Sequence, residues 1–330
     1  MKMDYGVITD QLTQTGSQCY HYFFRPNKPG FLFYLLLIVA PIVFADERAQ
    51  PDPTKQPPDS QLLIVTHKLP EIASPEQELH EVDVLRLALE KTRAEYGPYE
   101  LRGLPPMNRA RALAAMHNNI YPNLVLQISY EDDLANQEKL AYIPFPLDRG
   151  ALSYRICFMR DALKARVSTI TRTEQLKHFT FGTGIGWADT KVLRHNHLQV
   201  VEANSVINLF RMTKAGRVDL FCRGPSEYFY EQAHESSLGL TSDTQLALYY
   251  PLPKFFFAHK DNQQMLDRIK HGLEIAYKDG SFNKLWRKRH IQGLRAADLP
   301  KRNLVKMENP LIKHLSRDYE TYLYDPLTEQ

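Results

Sequence analysis

Short apolar runs typical of β-strands alternate with amphipathic patterns typical of α-helices along most of this 330-residue chain. The alternation begins at the apolar run Leu62–Val65 and ends at the predicted helix Phe282–His290. Within it, Gln263–Lys278 places its apolar residues three and four positions apart, as one face of a helix requires. Strands that alternate with helices form sheets flanked by helices, so the sequence predicts an α/β fold with mostly parallel sheets. The other predicted elements are the helices 79–95, 108–118, 173–178, 187–195 and 205–215, and the strands 99–102, 124–128, 143–159, 179–182, 198–201, 218–222, 246–250 and 255–258.

An apolar segment, Phe31–Phe44, lies near the N-terminus, with Arg25 and Lys28 before it and a Val-x-Ala sequence at its end. A basic region, an apolar region and small residues in this order are typical of a secretory signal peptide. We therefore predict cleavage after Ala45 and export to the periplasm. The segment is shorter than the about 20 apolar residues that span a bilayer, but an uncleaved membrane anchor over residues 31–45 stays open as the alternative.

Charge and composition indicate which partners to expect and how the chain is divided into domains. The net charge is +3, and a nucleic-acid-binding protein needs a concentrated basic face instead. The sequence therefore predicts no nucleic-acid partner. Residues 46–60 are polar and proline-rich, which is typical of a linker, and the chain beyond them is long enough for two domains of ordinary size.

The cysteines and histidines give no clear metal pattern. Cys157 and Cys222 follow the predicted cleavage site, and both lie in apolar, strand-like runs. They can form a disulfide or stay as buried free thiols, and the sequence does not choose between these states. His195 and His197 lack a third ligand at the spacing of a metal site. We therefore expect no structural metal and no cofactor.

Three motifs occur in an order that is familiar from one protein family. Gly216-Arg-Val-Asp219 stands between a predicted helix and a predicted strand. Phe257–Trp286 runs from a strand through a helix to Lys-Asp-Gly-Ser-Phe-Asn-Lys-Leu-Trp, and Leu85–Tyr99 forms an amphipathic pattern that ends at Gly-Pro. With a signal peptide before them, these motifs resemble the family 3 extracellular solute-binding proteins, such as the amino-acid-binding components of bacterial ABC importers.

This resemblance covers roughly residues 60–290 and implies the two-lobed type II periplasmic-binding fold, with a ligand cleft between the lobes. It also implies a monomer that binds a small molecule, with an inner-membrane permease as a candidate partner. Segment 68–77 lacks the glycine-rich sequence of ordinary amino-acid binders, which leaves the usual amino-acid ligand in question. The implied organisation is 1–45 (N-terminal extension and signal peptide), 46–60 (linker), 61–152 with 251–290 (lobe 1), 153–250 (lobe 2) and 291–330 (C-terminal extension).

Charged residues surround the predicted strand Val218–Cys222. Asp219 lies near its start, and Arg223 and Glu227 follow its carboxyl end. In the implied fold this end borders the cleft, where an arginine can hold a carboxylate or phosphate through two parallel hydrogen bonds. The alternative is that Arg223 pairs with Glu227 or Asp189 and only braces the loop.

A glycine-bearing turn precedes the predicted helix 187–195. Backbone N–H groups at the start of a helix can bind an anion. We therefore include Gly184, Gly186, Trp187 and Asp189 among the candidate ligand-binding residues. The alternative is a tight strand–helix turn in which Trp187 belongs to the core.

Arg155 and Tyr154 lie in an apolar run near the expected crossover between the lobes. A charge inside an apolar strand is unfavourable unless it is paired. Arg155 therefore either binds the ligand or pairs with an acid as a support for the hinge. Asn108-Arg109, at a helix start, is a further candidate, and the acidic pair Glu131-Asp132 is more typical of a solvated loop.

The leading hypothesis is a periplasmic solute-binding protein that captures a small polar or anionic ligand, amino-acid-like or an organic acid, without catalysis and in the service of an ABC importer. The first alternative is an enzyme on the same scaffold, such as a dehydratase or lyase, with Glu227, Asp189 or Asp219 as acid or base. The second is a sensory or partner-binding module, suggested by the basic C-terminal extension Ile291–Gln330. Within and before it, Lys284–Lys306 has eight basic residues and one acid, which is consistent with a partner or membrane surface. A solvated helix face also explains that basic segment.

Overall fold

The computed structural model describes residues 62–69, 80–236 and 238–328. The predicted signal peptide with its alternative as an anchor, the linker 46–60 and residues 70–77 lie outside these residues. Within the part that is described, no helix is both long and apolar enough to cross a membrane.

Two β-sheets form the framework of the protein. Their strands follow the apolar runs of the sequence because alternate side chains of a strand point to the same face and can be buried together. The strands are β1 (Leu63–Lys68), β2 (Tyr99–Leu104), β3 (Leu124–Ser129), β4 (Leu140–Ile143), β5 (Tyr154–Arg160), β6 (Thr180–Gly184), β7 (Gln199–Ala203), β8 (Leu220–Arg223), β9 (Leu240–Thr241), β10 (Leu246–Tyr249), β11 (Lys254–His259) and β12 (Asn303–Lys306).

Helices cover the faces of both sheets. Asn108 and Ser205 each begin a helix as the N-cap, and the side chain of each accepts a hydrogen bond from a backbone N–H of the first turn. The α-helices are α1 (His80–Lys91), α2 (Arg93–Tyr96), α3 (Arg109–His117), α4 (Asp132–Ala135), α5 (Lys164–Val167), α6 (Thr173–Leu176), α7 (Ala188–His195), α8 (Val206–Lys214), α9 (Pro225–Ser236), α10 (Gln263–Lys278) and α11 (Ser281–Ala297).

The first sheet has the strand order β2-β1-β3-β11-β4. β1 is parallel to β2 and β3, whereas β11 is antiparallel to both of its neighbours, β3 and β4. β11 is reached only after the chain has built most of the second sheet. It enters at the end where β3 leaves, since Lys254 lies opposite Ser129.

The second sheet has the order β12-β10-β5-β8-β6-β7, and β9 also pairs with β5. β6 is parallel to β7 and β8, and β10 is parallel to β12. β5 is antiparallel to β8, β9 and β10. The predicted α/β class is confirmed. Both sheets contain parallel and antiparallel pairs. The antiparallel strands are β5 and β11, and each of them directly follows a crossover between the sheets.

Two chain segments join the sheets side by side. Residues 144–153 lead from β4 to β5, and residues 250–253 lead from β10 to β11. The backbone N–H of Tyr250 donates to the carbonyl oxygen of Ser153 over 3.1 Å, and the N–H of Leu252 donates to the Ser153 hydroxyl over 3.2 Å. We call the first sheet with its helices lobe 1 and the second sheet with its helices lobe 2, and this double crossover connects them.

Helices α1 and α10 pack very closely on lobe 1. A Cβ atom at Gly272 of α10 would lie 1.9 Å from the backbone carbonyl oxygen of Ala88 in α1. Glycine is therefore the residue that lets the two helices approach. Trp286 of α11 is fully buried in the same core, where its Nε1 donates to the carbonyl oxygen of Asp148 over 2.8 Å.

The residues after 290 do not form a separate basic tail. Helix α11 continues through the buried Leu294 and Ala297, and β12 extends the lobe 2 sheet beside β10. The chain then returns to lobe 1, where the ring of Tyr319 packs on Phe255 with 5.8 Å between ring centroids. The C-terminal residues are thus part of both cores.

Cys157 and Cys222 form a disulfide bond. They lie directly opposite each other on the antiparallel strands β5 and β8. Of the two states that the sequence left open, the structure has the paired one.

We predict that Gly272→Ala destabilises the protein by about 1–3 kcal/mol, because the added methyl group must push α1 and α10 apart. Chemical denaturation measures the change. An ordinary glycine-to-alanine change inside a helix has the opposite sign and stabilises by about 1 kcal/mol.

The control is Ala296→Gly on the exposed side of α11, which should lose about 1 kcal/mol from helix propensity alone. A Gly272→Ala protein that is more stable than the wild type would contradict the close packing of the two helices.

Candidate ligand-binding site

A polar cleft of about 630 Å³ opens between the two lobes. It lies at the carboxyl ends of β1, β3, β6 and β8, the edge at which α/β sheets commonly bind ligands. Side chains of both lobes line it. Lobe 1 contributes His67, Lys68, Glu81, Asn108, Arg109, Gln127, Ser129, Lys254 and Phe256, and lobe 2 contributes Arg155, Trp187, Asp189, Asn204, Arg223, Glu227 and Glu231.

Arg155 is a buried arginine on β5 that is paired with an acid. Its Nε and Nη2 both lie 3.0 Å from Oδ1 of Asp189, at the start of α7. The hydroxyl of Tyr250, in the second crossover, donates to the same carboxylate oxygen over 2.7 Å. Arg155 also donates to the carbonyl oxygen of Leu152. Arg155 is therefore paired with an acid of the protein, as the second of the two alternatives requires, although it also lines the cleft.

The charges of Arg155 and Asp189 stabilise each other, and Tyr250 contributes a hydrogen bond to the carboxylate. Burial opposes the ionisation of Asp189, but the guanidinium of Arg155 and the hydroxyl of Tyr250 outweigh it and hold the pKa of Asp189 below its usual value. Burial likewise opposes the charge of Arg155, yet the negative groups around it raise the pKa of its guanidinium. Both groups are thus ionised at neutral pH.

Arg223, at the end of β8, also meets acids of its own lobe. Its Nε and Nη2 donate to the two carboxylate oxygens of Glu231 over 2.8 and 2.7 Å, a two-pronged pair. Glu227 lies 3.3 Å from Nη2 and accepts a hydrogen bond from the N–H of Gly224 over 2.9 Å. Arg223 is thus paired with acids, with Glu227 as the alternative named it and more closely with Glu231, while it also lines the cleft.

The partner of Arg223 lies on an element that the sequence patterns did not predict. Pro225 follows Gly224 and suggests a loop, but it is the first residue of helix α9. Proline is well suited to that position because its missing N–H is not needed there. The helix carries Glu231 back over the guanidinium. The sequence signal that could have indicated this helix was a proline followed by a mixture of apolar and polar residues.

Gly184 and Trp187 form one packing unit at the mouth of the cleft. A Cβ atom at Gly184 would come within 2.2 Å of the Trp187 indole, so only glycine leaves room for the ring. The guanidinium of Arg223 lies 5.6 Å from the centre of the same ring. Trp187 is only partly buried and contacts a lobe 2 core cluster.

The backbone N–H groups of this turn already donate within the protein. Those of Ile185 and Trp187 donate to the carbonyl oxygens of Ala203 and Gly184, each over 3.0 Å. The N–H of Gly186, whose φ of 76° favours glycine, lies 3.4 Å from a carboxylate oxygen of Glu202. These bonds hold the turn before α7 in place.

Three of the predicted site residues lie outside the cleft lining, namely Tyr154, Asp219 and Gly186 of the turn described above. Tyr154, on β5, is buried in a core cluster that contains residues of both sheets, with its ring 5.0 Å from that of Tyr249. Asp219 lies at the amino end of β8, opposite to Arg223, because the strand runs toward the cleft. There it accepts hydrogen bonds from Arg160 over 3.1 Å and from the N–H of Thr180 over 3.0 Å.

Glu131 links the lobes. It is buried at the end of β3, rather than solvated in a loop as its sequence context suggested. Arg109 of lobe 1 and Lys191 of lobe 2 each donate to one of its carboxylate oxygens over 2.5 Å. The neighbouring Asp132 instead accepts from the backbone N–H of His314 over 3.2 Å.

Sequence patterns missed the lobe 1 wall of the cleft. Gln127, Ser129 and Lys254 lie there on the adjacent strands β3 and β11. The signal in the sequence was a lysine at the head of the apolar run Lys-Phe-Phe-Phe-Ala, directly after Pro253. Glu81 also lines the cleft, and the described residues give it no ion pair.

Within the described residues, no group of three His, Cys, Asp or Glu side chains is arranged to hold a metal ion.

Comparisons with known proteins rest on structure alone, since no protein-family model and no curated protein matches the chain. An ancestral arginine-binding protein bound to arginine is 18% identical, with a TM-score of 0.52 over 68% of this chain and 97% of that chain. The GluR0 ligand-binding core in complex with L-glutamate is 12% identical, with a TM-score of 0.54 over 70% and 98% of the two chains.

A histidine kinase sensor domain with similarity to periplasmic binding proteins is 15% identical, with a TM-score of 0.51 over 69% and 96% of the two chains. These likenesses, together with the two sheets and the double crossover, establish that the chain has the two-lobed fold of the periplasmic binding proteins. The fold that the resemblance implied is confirmed.

We predict that Asp189→Asn lowers the stability of the protein by about 3–5 kcal/mol, since it leaves the buried guanidinium of Arg155 without its counter-charge. The matched control is Asp219→Asn in the same lobe, which removes a partly exposed pair with Arg160 and should change stability by about 1 kcal/mol or less. Urea denaturation at pH 7 compares the two.

The same pair gives a pH dependence. The folded-state pKa of Asp189 is lowered, so its contribution to stability is complete above the usual pKa near 4 and is lost as pH falls through the lowered value. The stability difference between wild type and Asp189→Asn should therefore be constant from about pH 5 to pH 7 and shrink below about pH 4. A difference that grows on acidification would contradict the assignment.

Proposed function

We propose that this protein is a solute-binding protein that captures a small polar or anionic ligand, an organic acid or an amino-acid-like molecule, between its two lobes. The observation that carries the proposal is the polar cleft of about 630 Å³, which both lobes line and which the double crossover flanks. Two lobes joined by two adjacent antiparallel segments can close by hinge motion, and closure on a ligand needs no chemical step.

The free charges of the cleft support this ligand class. Among the described lining residues, Lys254 and Glu81 have no ion pair, whereas Arg155 and Arg223 are neutralised by acids of the protein. A ligand that brings a carboxylate, or a carboxylate and an ammonium group, matches these two charges. The solved structures with arginine and L-glutamate bound are binding proteins of the same fold, which agrees with the proposal.

An enzyme on this scaffold would need a carboxylate that is free to accept or donate a proton. The charges of Arg223, Lys254 and Arg155 outweigh burial and lower the pKa of Glu227, and Asp189 is likewise held ionised. Burial raises the pKa of Glu231, yet both of its oxygens accept hydrogen bonds from Arg223. These acids are thus engaged in pairs, which favours binding over acid–base chemistry.

We place the protein in the periplasm, as the apolar segment Phe31–Phe44 predicts. The disulfide between Cys157 and Cys222 agrees with this, because disulfides persist mainly in oxidising compartments. Delivery of the ligand to an inner-membrane permease by a monomer completes the proposal.

The proposal predicts that a ligand raises the melting temperature of the purified protein. A panel of amino acids, organic acids and amines is titrated at pH 7. A ligand present at a hundred times its dissociation constant stabilises by about 2.7 kcal/mol, a shift that is easily measured. A flat response to the whole panel would count against solute binding.

A matched pair of variants locates the binding. Asn204→Trp places an indole at an exposed position of the cleft lining and should abolish the ligand-induced shift by occupying the cleft. Asn136→Trp makes the same change at an exposed position outside the lining and should leave the shift intact. Equal shifts in both variants would place the ligand elsewhere.

A further inference from the structure

Lys254 is the cation in the cleft that remains available to a ligand. It begins β11, directly after the second crossover, and lies opposite Ser129 of β3. Successive side chains of a strand point to opposite faces of the sheet, and residues that lie opposite each other on adjacent strands point to the same face. Lys254 and Phe256 therefore share a face with Gln127 and Ser129, and all four line the cleft.

The other cations of the lining have partners. Arg155 pairs with Asp189, Arg223 with Glu231, and Arg109 with Glu131. Lys68 is not free either. For the ammonium group of Lys254, by contrast, no hydrogen bond or ion pair forms with any described residue.

The paired arginines cannot take over a ligand without loss. A buried guanidinium that turned to a ligand would leave Asp189 or Glu231 as an uncompensated buried charge, which is strongly unfavourable. The charge of Lys254 acts on Glu227 and Asp189, but its ammonium group forms no hydrogen bond or close ion pair with a described residue that a ligand would have to break. A lysine carries a compact charge with three rotatable donors on a flexible stem, so it can follow a small anion as the lobes close.

The neighbours of Lys254 suit a carboxylate. The hydroxyl of Ser129 and the amide of Gln127 have no side-chain hydrogen-bond partner among the described residues, and both can donate. Asp189, Glu227 and Glu231 line the lobe 2 side. Arg155 and Arg223 already neutralise Asp189 and Glu231, so Lys254 remains as a single positive charge without a close ion pair, which matches a singly charged carboxylate better than a doubly charged phosphate. One free ammonium group therefore fits one carboxylate.

We propose that Lys254, with Ser129 and Gln127, binds a carboxylate of the ligand, and that the natural ligand is a small organic acid or amino acid held by this lobe 1 wall rather than by the arginines. This inference rests on the proposed function and names the anion-binding residues within it.

The test compares the wild type with Lys254→Gln and Lys254→Arg by isothermal titration calorimetry. The probes are L-glutamate, L-lactate, succinate and the matching primary amides. The wild type should bind at least one carboxylate and discriminate against its amide. Loss of a hydrogen bond to a charged group should weaken carboxylate binding about 10- to 100-fold in Lys254→Gln. Lys254→Arg, which keeps the charge, should bind more tightly than Lys254→Gln.

The control is Lys278→Gln, which removes the same charge from an exposed position on α10 outside the cleft, and it should bind as the wild type does. Melting temperatures without ligand verify that each variant is folded. As a second measurement, the affinity of the wild type for the carboxylate should fall with ionic strength more steeply than that of Lys254→Gln.

The outcomes separate the two proposals. If the wild type binds none of the probes and none of the wider panel, solute binding itself fails, and this inference falls with it. If the wild type binds a carboxylate and a folded Lys254→Gln binds it equally well, solute binding stands and the role of Lys254 is overturned. A preference of the wild type for the amides overturns that role in the same way.

Discussion

The buried pair between Arg155 and Asp189 is the interaction on which the rest of the structure depends. Arg155 lies on β5, directly after the first crossover, and Asp189 begins α7. Tyr250, in the second crossover, donates to the same carboxylate. The pair thus connects both crossovers to the helix at the mouth of the cleft. Since removal of either charge leaves the other one buried without compensation, this geometry is strongly specified.

A second buried arginine–carboxylate pair lies at the end of β8. Arg223 is held by Glu231, and Glu227 holds the backbone of the turn that leads into α9. Both arginines of the cleft are therefore paired with acids of lobe 2. The carboxylate site that we propose lies in lobe 1 instead, where Gln127, Ser129 and Lys254 line the cleft.

Local patterns predicted much of the fold and only part of the site. α10 occupies the predicted residues 263–278 because its apolar spacing is regular over several turns. β12 was missed because its pairing with β10 is decided by tertiary contact, and α9 was missed because proline at a helix start resembles a loop. Glu231 reaches Arg223 only because it lies on α9. Since the sequence patterns did not predict that helix, they could not show that Arg223 has an ion-pair partner within the protein.

The most direct test is a crystal structure of the protein with the carboxylate that raises its melting temperature most. We expect electron density for the ligand between the lobes, against the ammonium group of Lys254. The pairs Arg155–Asp189 and Arg223–Glu231 should be intact, as they are in the structure described here. A ligand that is gripped by either guanidinium after release of its acid, or that binds outside the cleft, would contradict this account.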